Sequence, residues 1–179
     1  MLFEPLSVAG AFLVKPEPLV DERGLFARVW CAAEFSEHGI PMQPVQANVG
    51  FSPRRGTLRG LHYQVAPDLE AKLVRCTRGV VYDVLVDLRP DSPTYLKWCA
   101  VELDAEARWS VYVPPLCAHG YLTLSDDAEV YYQASAPFAP ESARGVRWND
   151  PLLGIEWPIA VELVSDRDKC WPLLSESSP

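Results

Sequence analysis

Short apolar segments, separated by turn-forming residues, run through the middle of the chain from about residue 45 to about residue 135. Each segment is too short for a typical helix. The 17 prolines of the chain would also interrupt helix interiors and the ladders of central strands. This spacing predicts an all-β sandwich or barrel. The turn signals are Arg54-Arg55-Gly56, Arg78-Gly79, Pro90-Asp91-Ser92-Pro93, Asp104-Ala105-Glu106 and Asp126-Asp127.

Alternation of residue types marks the clearest strand, over residues 80–88. Its apolar residues share one face and Asp83 and Asp87 share the other, because successive side chains of a strand point to opposite sides. One short helix is predicted over residues 32–38, ended by Gly39 in a left-handed conformation. Further strands are predicted at 58–64, 71–77, 97–103, 109–113, 119–124 and 128–134.

Size and charge limit the possible classes of function. With 179 residues and 49% hydrophobic content, the chain is expected to form one domain over residues 1–179, with a short flexible tail from about residue 175. The formal net charge of −8 disfavours a general affinity for nucleic acid or for anionic membranes. An anionic ligand would therefore need a local basic pocket.

The sequence also predicts the cellular compartment. The first residues lack the basic and apolar regions of a signal peptide, and no apolar stretch is long enough to span a membrane, so a cytoplasmic protein is expected. The cysteines, at positions 31, 76, 99, 117 and 170, are odd in number and widely spaced. This pattern favours reduced, buried thiols over disulfides.

A histidine and a lysine lie close together in the sequence, since Lys72 follows the segment Arg59-Gly60-Leu61-His62-Tyr63. Neighbouring strands joined by a short loop would bring the two side chains together. Imidazole titrates near neutral pH, so the pair suggests proton-transfer chemistry. Lys72 shares a predicted apolar face with Val74 and Cys76, which favours a buried functional role over that of an exposed edge lysine.

Several separate motifs cover most of the chain. They are Asp21-Glu22-Arg23-Gly24-Leu25-Phe26, Gln46-Ala47-Asn48, Leu58-Arg59-Gly60-Leu61-His62-Tyr63-Gln64, Ala71-Lys72-Leu73-Val74-Arg75, Asp87-Leu88-Arg89 with Ser92-Pro93-Thr94, Ala118-His119-Gly120, Trp148-Asn149-Asp150-Pro151 and Ser165-Asp166-Arg167-Asp168. In this order they resemble the dTDP-4-dehydrorhamnose 3,5-epimerase family of nucleotide-sugar epimerases. The resemblance implies a double-stranded β-helix, the jelly-roll barrel of the cupin class, with a few short helices.

The resemblance also implies a catalytic set for inverting a carbon next to a ketone. His62 would be the base, oriented by Asp168, and Tyr132 would be the acid on the opposite face of the sugar. Lys72 would lie beside the oxygen at C4, where charge develops in an enolate. Alternation places Tyr132, rather than Tyr131, on the apolar face of its strand, although aromatic residues also occur in strands for ordinary packing.

Alternatives stay open for the remaining catalytic residues. The residues around Asp168 have the pattern of a solvated charged turn, and Asp166 is a second candidate to pair with the base. The resemblance further implies a supporting pair near the site, His119 and Asp83. A structural hydrogen bond between neighbouring strands is the alternative for that pair.

Substrate contacts are implied for six residues, of which the arginines suit phosphate oxygens because of their forked donor geometry. Strict alternation, however, puts Arg59 and His62 on opposite faces of one strand. Either Gly60 marks a bulge that re-aims one of them, or Arg59 serves the pocket of a partner subunit. The expected substrate-binding residues are Arg23, Phe26, Gln46, Asn48, Arg59 and Phe138.

The expected activity is inversion of C3, C5 or both in a dTDP-4-keto-6-deoxyhexose, through an enolate. The chain departs from the usual family pattern at Val20, Arg28 and Phe138, which leaves open the nucleotide base and the number of carbons inverted. One alternative is a single-site 5- or 3-epimerase acting on another nucleotide-linked 4-keto sugar. The other is a non-catalytic cupin that binds sugar nucleotides, which would require a broken catalytic set.

Neither a metal nor any other cofactor is expected. Metal-binding cupins use a His-x-His pair, but Gln64 follows His62 at that spacing, and the chain has only three histidines. The expected partner is a second copy of the chain. The resemblance implies a homodimer whose N-terminal strands cross over and contribute to the neighbouring pocket.

Overall fold

The computed structural model describes residues 1–174, so the tail expected from about residue 175 lies outside the described residues. Strands dominate this part of the chain, and its helices, α1 (Ala32–Glu37) and α2 (Asp166–Lys169), are short. The strands are β1 (Leu2–Pro5), β2 (Phe12–Lys15), β3 (Leu19–Asp21), β4 (Gly24–Phe26), β5 (Gln46–Ser52), β6 (Thr57–Gln64), β7 (Lys72–Arg78), β8 (Val80–Asp87), β9 (Trp98–Asp104), β10 (Ser110–Val113), β11 (Cys117–Thr123), β12 (Ala128–Ala134), β13 (Ala143–Gly145) and β14 (Leu163–Val164).

Two antiparallel sheets carry the fold. The first has the order β1-β2-β10-β7-β12-β5, and the second has the order β13-β6-β11-β8-β9, with β14 parallel to β6. Neighbours in each sheet are mostly distant in sequence, as in a jelly roll. Buried residues from both sheets, such as Val74 and Val111 with Leu85 and Tyr121, pack in one core cluster. The prediction of an all-β jelly-roll fold is confirmed.

The predicted strands of the middle region agree with the observed ones to within two residues at each end. The predicted helix is α1, which buries Phe35 in a second core cluster. Gly39 follows it with φ +71°, and its N–H donates to the carbonyl of Ser36. This left-handed residue ends the helix as predicted.

Strand β8 is buried on both faces. Tyr82, Val84 and Val86 pack beneath the C-terminal segment, whereas Asp83 and Asp87 are fully buried on the side that faces the other sheet. Burial of these carboxylates is possible because each is paired within the fold. Asp87 accepts hydrogen bonds from Arg89, Ser92 and Thr94, and Asp83 pairs with His119.

A bulge interrupts the pairing of β6 with β11. His62 pairs with His119 and Arg59 pairs with Tyr121, so Gly60 and Leu61 together oppose the single residue Gly120. Gly60 has φ +139°, and a Cβ there would lie 2.5 Å from the Cα of Gly120. Only glycine fits this close approach of two backbones.

Three of the five cysteines, Cys76, Cys99 and Cys117, are buried free thiols, as predicted. Cys31 is half-buried, and Cys170 is exposed, contrary to the expectation of buried thiols, because it ends α2 at the surface. Burial raises the pKa of Cys76 to about 11 and that of Cys117 to about 12. Neither helix within residues 1–174 has the length and apolar character needed to cross a membrane.

Candidate active site

A cavity of about 600 Å³ opens between the two sheets, and a smaller one of about 240 Å³ adjoins it. The combined space has the size of a small-molecule binding site. Side chains from both sheets and from α2 line both parts. The residues that the two parts share are Asn48, His62, Lys72, Tyr132 and Arg167.

His62 and Asp168 form a closely paired dyad on one wall of the larger cavity. The distance from His62 Nε2 to Asp168 Oδ1 is 2.6 Å. Burial by itself would raise the pKa of the Asp168 carboxyl. The hydrogen bond and charge of His62, together with the hydrogen bond from the Gly60 N–H, have a larger opposite effect, so the pKa lies below its usual value. The carboxylate is therefore ionised at neutral pH and engages Nε2, which leaves Nδ1 as the ring nitrogen able to accept a proton.

Helix α2 fixes Asp168 beneath His62. The hydroxyl of Ser165 caps the helix by accepting from the Asp168 N–H at 3.1 Å. The indole N–H of Trp171 donates to Asp168 Oδ1 at 3.3 Å. Asp168 is thus 4% exposed, and the expectation of a solvated turn at this residue is wrong, because the short helix turns it inward. The alternative partner, Asp166, has a side chain that is 97% exposed and pairs with Lys169.

Lys72 and Tyr132 lie on the opposite wall, on neighbouring strands β7 and β12 of the first sheet. The Lys72 ammonium donates to the carbonyl of His62 at 3.3 Å, and its side chain is 12% exposed. Alternation predicts an inward direction for both residues, and Val74, Cys76 and Val130 on the same faces are buried. Burial, and then the nearby charge of Glu70, raise the pKa of Tyr132, which keeps its hydroxyl protonated.

The predicted supporting pair lies next to the dyad, since His119 on β11 is the cross-strand partner of His62 on β6. His119 Nε2 is 2.8 Å from Asp83 Oδ2, and both residues are buried. His119 lines the larger cavity beside Tyr121, whose pKa burial raises to about 12. Within the described residues, Asp83 Oδ1 has no hydrogen-bond partner.

Strict alternation would place Arg59 and His62 on opposite faces of β6. The bulge at Gly60 changes this, and both residues line the same cavity. The Arg59 guanidinium donates to Ser52 Oγ at 3.1 Å and to the carbonyl of Phe51 at 2.9 Å. These contacts hold it at the cavity wall of its own chain. Of the two alternatives, the bulge is therefore the one that the structure contains.

Gln46, Asn48 and Phe138 also lie at the cavity, as expected. Gln46 Nε2 donates to Asn48 Oδ1 at 3.2 Å, and Gln46 Oε1 accepts from the Phe138 N–H at 3.0 Å. Asn48 Nδ2 is buried without a hydrogen-bond partner among residues 1–174. A buried donor in this state is ready to bind a polar ligand.

Two expected substrate residues, Arg23 and Phe26, do not line the cavity of their own chain. They lie on the β3–β4 hairpin, where the Arg23 guanidinium pairs with Asp21 at 2.6 Å and Phe26 is 73% exposed. The hairpin pairs with neither large sheet. Sequence reasoning placed both residues in a binding site, and the single chain does not bring them there.

Three charged residues that sequence reasoning missed line the cavities. Arg144, on β13, lines the smaller one. Arg167 lies over the Trp171 ring at 5.2 Å and contributes to both cavities, and Glu70 lines the smaller one. Arg167 occurs in a motif already noted, between the two aspartates, so its place in that motif was the available signal. Glu70 precedes β7, so strand alternation does not predict the direction of its side chain.

Gln64 occupies the position at which metal-binding cupins have the second histidine of the His-x-His pair. Its Nε2 donates to the carbonyls of Asp68 and Pro137, and its Oε1 accepts from the Ala139 N–H. The amide therefore has a structural role in holding two loops. Among the described residues there is no group of three or more histidine, cysteine or acidic side chains arranged to hold a metal ion.

This combination of fold and side chains matches known proteins. A model of the dTDP-4-dehydrorhamnose 3,5-epimerase family matches residues 5–176. The chain belongs to this family. It is therefore an isomerase, of the carbohydrate epimerase type.

Individual members of the family are similar over nearly their whole length. The dTDP-4-dehydrorhamnose 3,5-epimerase of Sinorhizobium fredii is 41% identical over 177 residues, which cover 98% of this chain and 91% of that one. The crystal structure of the Elizabethkingia anophelis epimerase has a TM-score of 0.96 and 35% identity, over 99% of this chain and 98% of that one. A Legionella pneumophila epimerase, in complex with dTDP-4-keto-L-rhamnose, has a TM-score of 0.92 and 34% identity, over 99% and 94% of the two chains.

Proposed function

We propose that the epimerase inverts C3 and C5 of a dTDP-4-keto-6-deoxyhexose and so converts dTDP-4-dehydro-6-deoxyglucose to dTDP-4-dehydrorhamnose. One observation carries the proposal: the dyad of His62 on β6 and Asp168 on α2 faces the same cavity as Tyr132 and Lys72 on the other sheet. Inversion needs a base and an acid on opposite faces of the sugar ring. The two walls of this cavity supply them.

Each inversion begins with proton removal next to the C4 ketone. His62 Nδ1 takes the proton, the C–H electron pair forms the enolate double bond, and the C4 oxygen gains the negative charge. Asp168 stabilises the imidazolium that results, and the Lys72 ammonium stabilises the enolate oxygen. Tyr132 then donates its hydroxyl proton to the opposite face of the carbon. His62 gives up its proton and Tyr132 regains one before the second inversion.

The nucleoside diphosphate would bind to the cationic side chains of the cavity. Arg59 and Arg167 supply two guanidinium groups, and Asn48 supplies a free amide donor. The dTDP-4-keto-L-rhamnose complex of the Legionella pneumophila relative supports this class of ligand. A chain with net charge −8 can bind an anion here because these cations lie at the cavity.

The proposal includes a homodimer in which the β3–β4 hairpin reaches the pocket of the partner. Leu19, Val20 and Phe26 are each more than 70% exposed in the single chain. Such a cluster of exposed apolar residues is typical of an interaction surface. Arg23 at the tip would then join the partner's phosphate contacts. Light scattering should give the mass of two chains, and the double variant L19D/V20D should give the mass of one.

Other features support the remaining parts of the proposal. The shared core cluster of the two sheets supports a single domain, and the five free thiols support a reducing compartment, the cytoplasm. The residues of the chain carry the proton transfers without a cofactor.

The decisive experiment is incubation with dTDP-4-keto-6-deoxyglucose in deuterated water, followed by NMR. Deuterium at both C3 and C5, with the product in the rhamno configuration, is the expected result. Exchange at one carbon alone would indicate a single-site epimerase. Absence of exchange at either carbon would refute the proposed substrate.

A further inference from the structure

A carboxylate that the mechanism above does not use lies in the smaller cavity. The Glu70 side chain is 9% exposed, and its Oε2 is 3.3 Å from Lys72 Nζ. Burying a carboxylate is costly unless a cation pairs with it. Lys72 is the basic side chain in ion-pair distance of Glu70 within the part of the chain that the structure describes.

The loop that carries Glu70 is anchored on both sides. Before it, Gln64 Nε2 donates to the carbonyl of Asp68 at 2.9 Å. After it, the N–H of buried Ala71 donates to Ser135 Oγ at 2.8 Å. The carboxylate is thus held at the cavity by the fold and is not a surface side chain that meets Lys72 by chance.

We propose that Glu70 is a positioning residue of the epimerase reaction: its carboxylate fixes the Lys72 ammonium at the cavity and places a negative charge in the cavity that Tyr132 also lines. This inference rests on the proposed function. A lysine side chain has a long flexible stem, and the second contact of the ammonium is the His62 carbonyl at 3.3 Å. Two contacts together hold the cation where the enolate oxygen develops its charge.

The charge of Glu70 also acts on the acid. Burial, and then Glu70, raise the pKa of Tyr132. The other charged or titratable groups lining this cavity are Lys72 on β7, His62 and Tyr63 on β6, Arg144 on β13 and Arg167 on α2. Glu70 is the acidic side chain among them. Tyr132 also lines the larger cavity, whose further titratable groups are Arg59, His119, Tyr121 and Asp168. Removal of the Glu70 charge should stabilise the phenolate.

The test is Glu70→Gln, which keeps the shape of the side chain and removes its charge. We expect kcat to fall about 10- to 100-fold, as for a misplaced catalytic group, with KM changed less than about threefold. The alkaline limb of the pH profile should move to lower pH, because the phenolate forms more readily. Glu70→Asp, which keeps the charge, should restore the limb toward its original position. Glu141→Gln changes an exposed acid that lines neither cavity, so it is the matched control and should match the wild type.

Each outcome separates this inference from the proposed function. If the wild type does not exchange deuterium into the substrate, the proposed function is wrong, whatever Glu70 does. If the wild type exchanges deuterium and Glu70→Gln has the same kcat and alkaline limb, Glu70 is not a positioning residue. A fall in kcat with an unmoved alkaline limb in Glu70→Gln, or an alkaline limb that Glu70→Asp does not restore, would also overturn the inference, since the loss would then reflect packing alone. Should Glu70→Gln fail to fold, Glu70→Asp decides: a normal limb with a lowered kcat supports the role, and a wild-type kcat contradicts it.

Discussion

Replacing Asp168 by asparagine removes the charge that stabilises the imidazolium of His62 and keeps the shape of the side chain. With charge centres about 4 Å apart, the interaction is worth about 1 kcal/mol at the dielectric constant of water and about 4 kcal/mol at an effective constant of about 20. The Asp168 side chain is 5% exposed and that of His62 is 42% exposed, so the site lies between these limits. A loss of about 2 to 3 kcal/mol predicts that kcat falls about 30- to 150-fold.

Steady-state turnover of the 4-keto sugar nucleotide, with deuterium exchange measured in parallel, would test this value. Both rates should fall together, because Asp168 acts on the abstraction step. Asp166→Asn provides a matched control: it makes the same substitution two residues away, at a side chain that is 97% exposed, and should leave kcat unchanged. A kcat for Asp168→Asn within about threefold of the wild type would refute the role of the charge.

The Asp168 carboxylate should also make the stability of the protein depend on pH. The pKa of Asp168 is lowered in the folded protein, so its carboxylate stabilises the fold above the unfolded-state pKa of about 4. That contribution is lost as the pH falls through the folded-state pKa. The stability difference between the wild type and Asp168→Asn, measured by urea unfolding, should therefore be largest near pH 7 and shrink on acidification. A difference that stays constant down to about pH 3 would contradict the linkage.

Three further predictions follow from the site and its bulge. His62→Ala should lower kcat by at least about 10²- to 10⁴-fold, and near-normal turnover would refute its role as base. Tyr132→Phe should retain deuterium exchange while losing net inversion, because abstraction survives and delivery to the far face fails; a parallel fall of both would contradict a separate acid. Gly60→Ala should lower the free energy of unfolding by at least about 3 kcal/mol in urea titrations, since φ is +139° and the Cβ would meet Gly120. Gly154→Ala, at φ +58° with no atom within 4 Å, should cost only about 1 kcal/mol.

Much of the sheet structure could be predicted because its strands alternate and end at turn residues. The short N-terminal strands could not, since β3 and β4 have three residues each and no buried face to impose a pattern. Strand β8 shows another limit of pattern reading. Its aspartates face the interior, which pairing with His119 and Arg89 permits, and such tertiary partners leave no trace in the local alternation.

The site was predictable where a strand fixes the direction of a side chain and was not where an irregularity does. Lys72 and Tyr132 follow from alternation alone. Arg59 depends on the bulge at Gly60, which the sequence permits but does not require. Asp168 depends on a one-turn helix whose cap, Ser165, is visible in the sequence, although the charges around it resemble those of an exposed turn.

The two-sheet architecture accounts for the stereochemistry of the proposed reaction. His62 and Asp168 are fixed to β6 and α2, whereas Tyr132 and Lys72 are fixed to the facing sheet, so neither set needs to move between steps. A flat enolate bound between the sheets presents one face to each wall. A proton that leaves toward one sheet can then return from the other without the ring turning over. A carbon gains the opposite configuration only when one wall removes the proton and the other returns it. Loss of the acid on one sheet should therefore stop inversion, while the base on the other sheet still exchanges protons with solvent.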